Sequence, residues 1–246
     1  NKLISKKLIN QNVHDQERID SILIKLDGTK QKTKLGANTM LAVSMAVKKL
    51  SAKEKKIPLY KNFIVRKNFK LPYPLMNIIN GGAHADNDLR IQEFMIRPDK
   101  ARSFNDAVRM CYLVINNLRT LLKESGHSIN VGDEGGFAPN LGSNEEACDL
   151  IIEAIQAAGY SPGKDIFLAL DAAASSFCDK QNGQYDFRWS GTGRRSSEEM
   201  LHFYREMCEK YPVISIEDPL DENDWSGFTV MTEQVGKKVQ IVGDDL

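Results

Sequence analysis

The chain has no excess of either charge. Lys plus Arg and Asp plus Glu both number 33, so no global field draws it to nucleic acid or to an anionic membrane. An acidic substrate must therefore be held by local charge. No apolar run approaches the roughly 20 residues of a membrane span, and the start shows no signal-peptide pattern. The four cysteines, Cys111, Cys148, Cys178 and Cys208, are far apart and form no C-x-x-C pair, which reads as reduced thiols in a cytoplasmic protein. What is present is an ordinary globular composition: 246 residues, 41% of them hydrophobic, enough for one large or two modest domains. The opening NKLISKKLINQN lacks Met and starts in mid-helix pattern, which reads as the edge of a fragment.

Helical spacing predicts helices over 16–25 and 37–50, joined by a polar turn at Asp27-Gly28-Thr29. The small residues Ala37, Ala42, Ser44 and Ala46 of the second helix suit close approach to another element. Ile57-Pro58-Leu59-Tyr60 breaks that pattern, and the basic stretch 61–70 reads as a connection, with a domain boundary near residue 70. Beyond it, LPYPLMNIIN and LRIQEFMI read as neighbouring antiparallel strands around a Gly-rich loop, 81–88. Ser103-x-x-Asp106 opens a helix as a capping box, with Phe104, Val108, Cys111, Ile115, Leu118 and Leu122 toward the core. Ser143-x-x-Glu146 opens another, carrying Ala147, Ile151, Ala154 and Ala158 and closed by Gly159. Strand and helix then alternate: strand 166–170, helix 196–209, strand 213–216, helix 224–235, strand 239–243. This argues an α/β fold with a parallel sheet and right-handed crossovers.

Three apolar runs end in acid: IFLALD at Asp171, VISIEDP at Glu217 and VQIVGDD at Asp244. Side by side and parallel, such strands bring three carboxylates to one rim, where their mutual repulsion calls for a cation. With no His or Cys among them, hard oxygen ligands suit Mg²⁺. The plain alternative is that each acid caps the turn after it. A second constellation is VGDEGGFAPN, 131–140, where acids between glycines can hold Glu134 or Asp133 over a ligand, Glu134 being a candidate acid or base. The third is NGGAHADNDLRIQE, 80–93: a Gly81-Gly82 hinge, His84 at a polar tip, then Gln92 and Glu93 on the next strand. It reads either as a mobile lid or, for His84, as a structural hydrogen-bonder.

The motifs NIINGGAHADN, IQEFMI, VGDEGGFAPNLGSNEEA, LALDAAAS, SIEDPLDENDW and IVGDDL stand here in the order and spacing of the enolase family, which the chain resembles from about residue 15 to its last residue. LDGTKQKTKLGAN and IPLY resemble that family's N-terminal domain. The resemblance implies an enolase-type TIM-like barrel, ββαα(βα)n and incomplete, with 71–246 supplying about five of eight strands. Residues 1–70 would be the C-terminal helical part of a smaller α+β N-terminal domain.

It further implies Mg²⁺-dependent, reversible dehydration of 2-phosphoglycerate to phosphoenolpyruvate, in which positive charge stabilises a doubly charged enolate. Carried over by position, Asp171, Glu217 and Asp244 resemble the metal ligands and Glu134 the acid that protonates the leaving hydroxyl. Glu93 would place that hydroxyl, Gln92 would contact substrate, and His84 would ride on a closing loop. A homodimer or larger ring is expected by resemblance only. The family's lysine base lies on strands after residue 246, so the 246-residue chain alone is expected not to turn over 2-phosphoglycerate. The rival expectation is a truncated, non-catalytic binding or structural protein derived from an enolase. Two departures stand out: Ser176 where the family usually has Glu, expected to alter support for Asp171, and Asn116 where bacterial members often have His.

Overall fold

The computed structural model of the chain describes residues 2–63, 69–187 and 193–246. They divide into two compact units, Asn1–Lys70 and Leu71–Leu246. The first contains helices α1 (Lys2–Leu8), α2 (Gln16–Asp27), α3 (Ala37–Glu54) and α4 (Leu59–Phe63). Asp15 caps α2 by accepting the Arg18 N–H, and Gly28 ends it in the left-handed conformation. Leu35, Val43 and Val47 pack around a small core of Ile4, Ile19, Leu23 and Met40. The close-approach reading of α3 is corrected here: Ala37, Ala42 and Ala46 are exposed, and only Ser44 is engaged, accepting a hydrogen bond from Gln16. Met40, Val43 and Val47 bury instead, because their larger apolar area outweighs close approach of small residues. Of the expected connection 61–70, the first three residues complete α4, and 64–68 lie outside the described residues.

The second unit is built on one mixed sheet. Its strands are β1 (Met76–Asn80), β2 (Glu93–Arg97), β3 (Phe167–Asp171), β7 (Val213–Glu217) and β8 (Gln240–Val242), in the spatial order β1-β2-β3-β7-β8. β1 and β2 pair antiparallel, as expected, and β2 is also antiparallel to β3, whereas β3, β7 and β8 run parallel. Helices α5 (Phe104–Glu124), α6 (Asn144–Ala157), α7 (Ser197–Lys210) and α8 (Trp225–Val235) connect these strands and share one continuous core with them. The fold is therefore an open, incomplete α/β barrel. A small antiparallel sheet of β4 (Cys178–Asp179), β5 (Gln184–Asp186) and β6 (Arg194–Arg195) was not foreseen, since strands of two or three residues carry no readable period.

Two helix readings shift. On α5 the buried stripe is Ala107, Met110, Cys111, Val114, Leu118 and Leu122, while Phe104 and Val108 face outward. The helix turns its smaller Ala107 and its flexible Met110 to the sheet in their place. Neither expected capping box closes reciprocally, at Ser103 or at Ser143, whereas Ser196 with Glu199 forms one at the start of α7. Asp106 and Glu146 reach past their caps to the N–H groups of Arg102 and Gly142. Each serine nevertheless accepts its helix's third N–H. No described helix is long and apolar enough to cross a membrane.

Candidate functional site

Sheet register sets the site. Glu93 pairs with Asp171, Asp171 with Glu217 and Glu217 with Val242. Paired residues on adjacent strands point to the same face, so the three carboxylates form a row across the strand ends. A bulge extends this row into β1: two steps from Asn77 to Ile79 oppose one step from Met95 to Phe94, which brings Asn80 into register with Glu93. Without the extra residue, Asn80 would face the other way.

Each parallel strand turns sharply after its acid. Ala173 and Asp218 both adopt left-handed conformations, with φ of 42° and 41°, a strain of order 1–3 kcal/mol per non-glycine residue that clusters at functional sites. The turn after β3 lets the Ala173 N–H bond Asp171 Oδ1 at 2.9 Å, while Gln92 Nε2 holds Oδ2 at 3.3 Å. The turn after β7 buries Asp218, whose carboxylate accepts the N–H groups of Asp244 at 3.1 Å and Asp245 at 3.0 Å. Asp218 thus gathers the end of β8 beside Glu217.

The row carries little compensating positive charge. Burial, and then the charges of Asp171, Asp218, Asp244 and Asp245, raise the Glu217 pKa to about 7. Burial also raises Asp171 to about 6, opposed chiefly by its bond from Ala173. One oxygen each of Asp171, Glu217 and Asp218 lie within 4.8 Å of one another, close enough to hold one metal ion. A carboxylate-only donor set fits a hard divalent cation. Asp244 is not in that trio; it is exposed one residue past Gly243, and its charge bears on Glu217 from there.

At the other end of the row, His84, Glu93 and Glu134 converge. His84 Nδ1 lies 3.6 Å from Glu93 and 3.8 Å from Glu134. Burial first, then a hydrogen bond to Glu134, pushes the Glu93 pKa up to about 8. The same bond holds Glu134 low, with His84 and Asn77 assisting. The two acids therefore pull apart in acidity, Glu93 upward and Glu134 downward. Beside them a cleft of about 500 Å³ opens between the two Gly-rich loops, lined by His84, Asp86, Val131, Asp133 and Asn140. A larger groove of about 650 Å³ lies between α7 and α8 and holds none of these acids.

Of the residues singled out in the sequence, the structure gathers Asp171 and Glu217 with Gln92, and His84 with Glu93 and Glu134. Asp218 and Asn80 went unnoticed. Asp218 follows Glu217 directly, where strand alternation points it away from the row, and only the left-handed turn brings it in; Asn80 depends on the bulge. Ser176 is exposed and donates its backbone N–H to Ala173; the bonds to Asp171 come from Ala173 and Gln92. Asn116 bonds back to the Tyr112 carbonyl within α5.

Residues 68–246 match the family described as "Enolase, C-terminal TIM barrel domain", and residues 1–63 match "Enolase, N-terminal domain". The chain is 55% identical over 248 aligned positions to the "Enolase" of Pelagibacter ubique (strain HTCC1062). That alignment takes in 100% of this chain and 58% of the relative's length. With sequence likeness running through both units, and the carboxylate row lying inside the matched barrel segment, the chain belongs to the enolase family.

Proposed function

We propose that this chain is part of a hydro-lyase that reversibly dehydrates 2-phosphoglycerate to phosphoenolpyruvate in glycolysis and gluconeogenesis. The observation that carries the reading is the row of Glu93, Asp171 and Glu217 with Glu134 hydrogen-bonded at its end. One end of the row is suited to a cation and the other to a proton. Asp171, Glu217 and Asp244 are the Mg²⁺ ligands in this reading, with Asp218 holding Asp244 in place by its backbone. A Mg²⁺ ion held by these residues would supply positive charge to set against the substrate carboxylate.

The chain's own residues handle the leaving hydroxyl. Glu134, half exposed at its loop tip, donates a proton to that oxygen, and the more basic Glu93 beside it resupplies Glu134 and orients the hydroxyl. His84, within 4 Å of both acids, offsets their charge once the proton has gone. Gln92 is fixed on Asp171 and turns the rest of its carboxamide to substrate. In this reading residues 1–70 are the helical end of an N-terminal domain and 71–246 the first strands of a barrel domain. We place the protein in the cytoplasm, where its four unpaired cysteines stay reduced, as a homodimer or larger assembly.

The test is 2-phosphoglycerate turnover by the full gene product, followed by the ultraviolet absorbance of phosphoenolpyruvate. Turnover is expected to need Mg²⁺ and to fall about 100- to 10,000-fold in Glu134→Gln. Turnover that survives both chelation and that substitution would overturn the reading.

A further inference from the structure

Asn80 stands in the carboxylate row, and the reaction assigns it no task. Its side chain is fully buried, yet neither Oδ1 nor Nδ2 has a hydrogen-bond partner. A leucine of similar shape would fill the same space without burying an unpaired amide. Packing alone therefore does not explain an asparagine at this place.

What lies against it is the loop that carries Glu134. The Gly132 N–H donates to the Gly136 carbonyl at 2.8 Å and the Gly135 N–H to the Gly132 carbonyl at 3.1 Å, so the loop closes on itself with Glu134 at its tip. Its two feet straddle the Asn80 side chain. A Cβ added at Gly132 would come within 2.8 Å of Asn80 Cβ, and one at Gly136 within 2.6 Å of Asn80 Oδ1. Both glycines lie close to this side chain, a Cβ at Gly132 also meeting the His84 carbonyl at 2.5 Å and one at Gly136 the backbone of Ile78 and Ile79 at 3.0 Å. The strand end beneath is pinned as well. The Asn80 N–H donates to the Phe137 carbonyl at 2.8 Å and the Phe137 N–H to the Ile78 carbonyl at 2.9 Å. Asn87 Nδ2 bridges the carbonyls of Asn80 and Pro139, at 3.0 and 2.9 Å.

We propose that Asn80 is a positioning residue: its buried carboxamide is the seat of the Gly132–Gly136 loop and sets where the Glu134 carboxylate stands beside Glu93. The bulge in β1 exists, on this account, to turn that carboxamide under the loop. The seat itself follows from the geometry; only its kinetic consequence rests on the proposed role of Glu134.

The experiment is hydrogen exchange, read by mass spectrometry on the full gene product and on Asn80→Ala, which removes the carboxamide lying between Gly132 and Gly136. The peptide spanning 130–140 is expected to exchange about tenfold faster in the variant, while the peptide of α6, 144–157, is unchanged. Turnover of 2-phosphoglycerate is expected to lose about tenfold in kcat with KM within twofold, as a misplaced proton donor requires. If the alanine variant does not fold, Asn80→Ser is measured by the same ratio of the two peptides. Loop exchange within twofold of the parent in a folded variant would overturn the proposal. If the parent does not turn over 2-phosphoglycerate, the proposed reaction fails, and the exchange ratio still decides the seat.

Discussion

Asp171 and Glu217 stand on hydrogen-bonded parallel strands, whereas Glu134 stands on a glycine loop, and the two halves of the site are held by different physics. The strand acids are fixed by register: any strand ending in that row presents its carboxylate to the same rim. Their difficulty is electrostatic, since burial and like charge oppose their ionisation. Glu134 has the reverse problem. Its charge is eased by a hydrogen bond from Glu93, but its position depends on how a short loop sits on β1. A cation would relieve the first half, while close packing against a neighbouring side chain would hold the second.

The largest expected effect separates these halves. Glu217→Gln removes the middle charge of the row and should weaken Mg²⁺ binding by about 100-fold or more, measured calorimetrically. It should also raise the thermal midpoint in chelator, because one repelling carboxylate is gone. A midpoint that falls instead would mean that the Glu217 charge is already compensated. Next comes Gly136→Ala, whose methyl group would meet Asn80 Oδ1 at 2.6 Å and the backbone of Ile78 and Ile79 at 3.0 Å. A cost of about 1–3 kcal/mol is expected, with Mg²⁺ affinity unchanged. Loss of metal binding in that variant would show that the halves are not separable.

The pH dependence follows from three raised carboxyl groups: Glu93 to about 8, Glu217 to about 7 and Asp171 to about 6. Each binds its proton more tightly folded than unfolded. The stability this gives is complete below the ordinary carboxylate range and is lost as pH rises through the folded values. In chelator the thermal midpoint should therefore fall between about pH 5 and about pH 8.5, by about 5 °C, and Mg²⁺ should restore most of it. A midpoint that rises over that interval would contradict the assignment. The smallest effect is a control: Ser143→Ala removes the cap of α6 and should cost about 1 kcal/mol equally with and without Mg²⁺.

The same contrast governs what could be read in the sequence. Asp171 and Glu217 were legible because β-branched and apolar runs ending in acid announce both the strand and the rim. The parallel order of β3, β7 and β8 followed from strand–helix alternation. Asp218 was hidden by a left-handed backbone at a non-glycine residue, which no residue pattern signals. Asn80 was hidden by a bulge that reverses strand alternation for a single residue. On α5 Cys111, Ile115, Leu118 and Leu122 face the core as their spacing predicts, while Phe104 and Val108 fit the same spacing but face outward. Local pattern fixes the element and its spacing, while the face it buries is decided by neighbours distant in the chain.

The most direct test of the central claim, that the carboxylate row takes up a divalent cation in exchange for protons, is a Mg²⁺ titration by calorimetry in buffers of different ionisation enthalpy. Mg²⁺ must displace protons from Glu217, and from Asp171 below its folded value, in order to bind. The account predicts binding with net proton release, larger near about pH 6.5 than near about pH 8.5. Binding without proton release at either pH, or no binding at all, would contradict it.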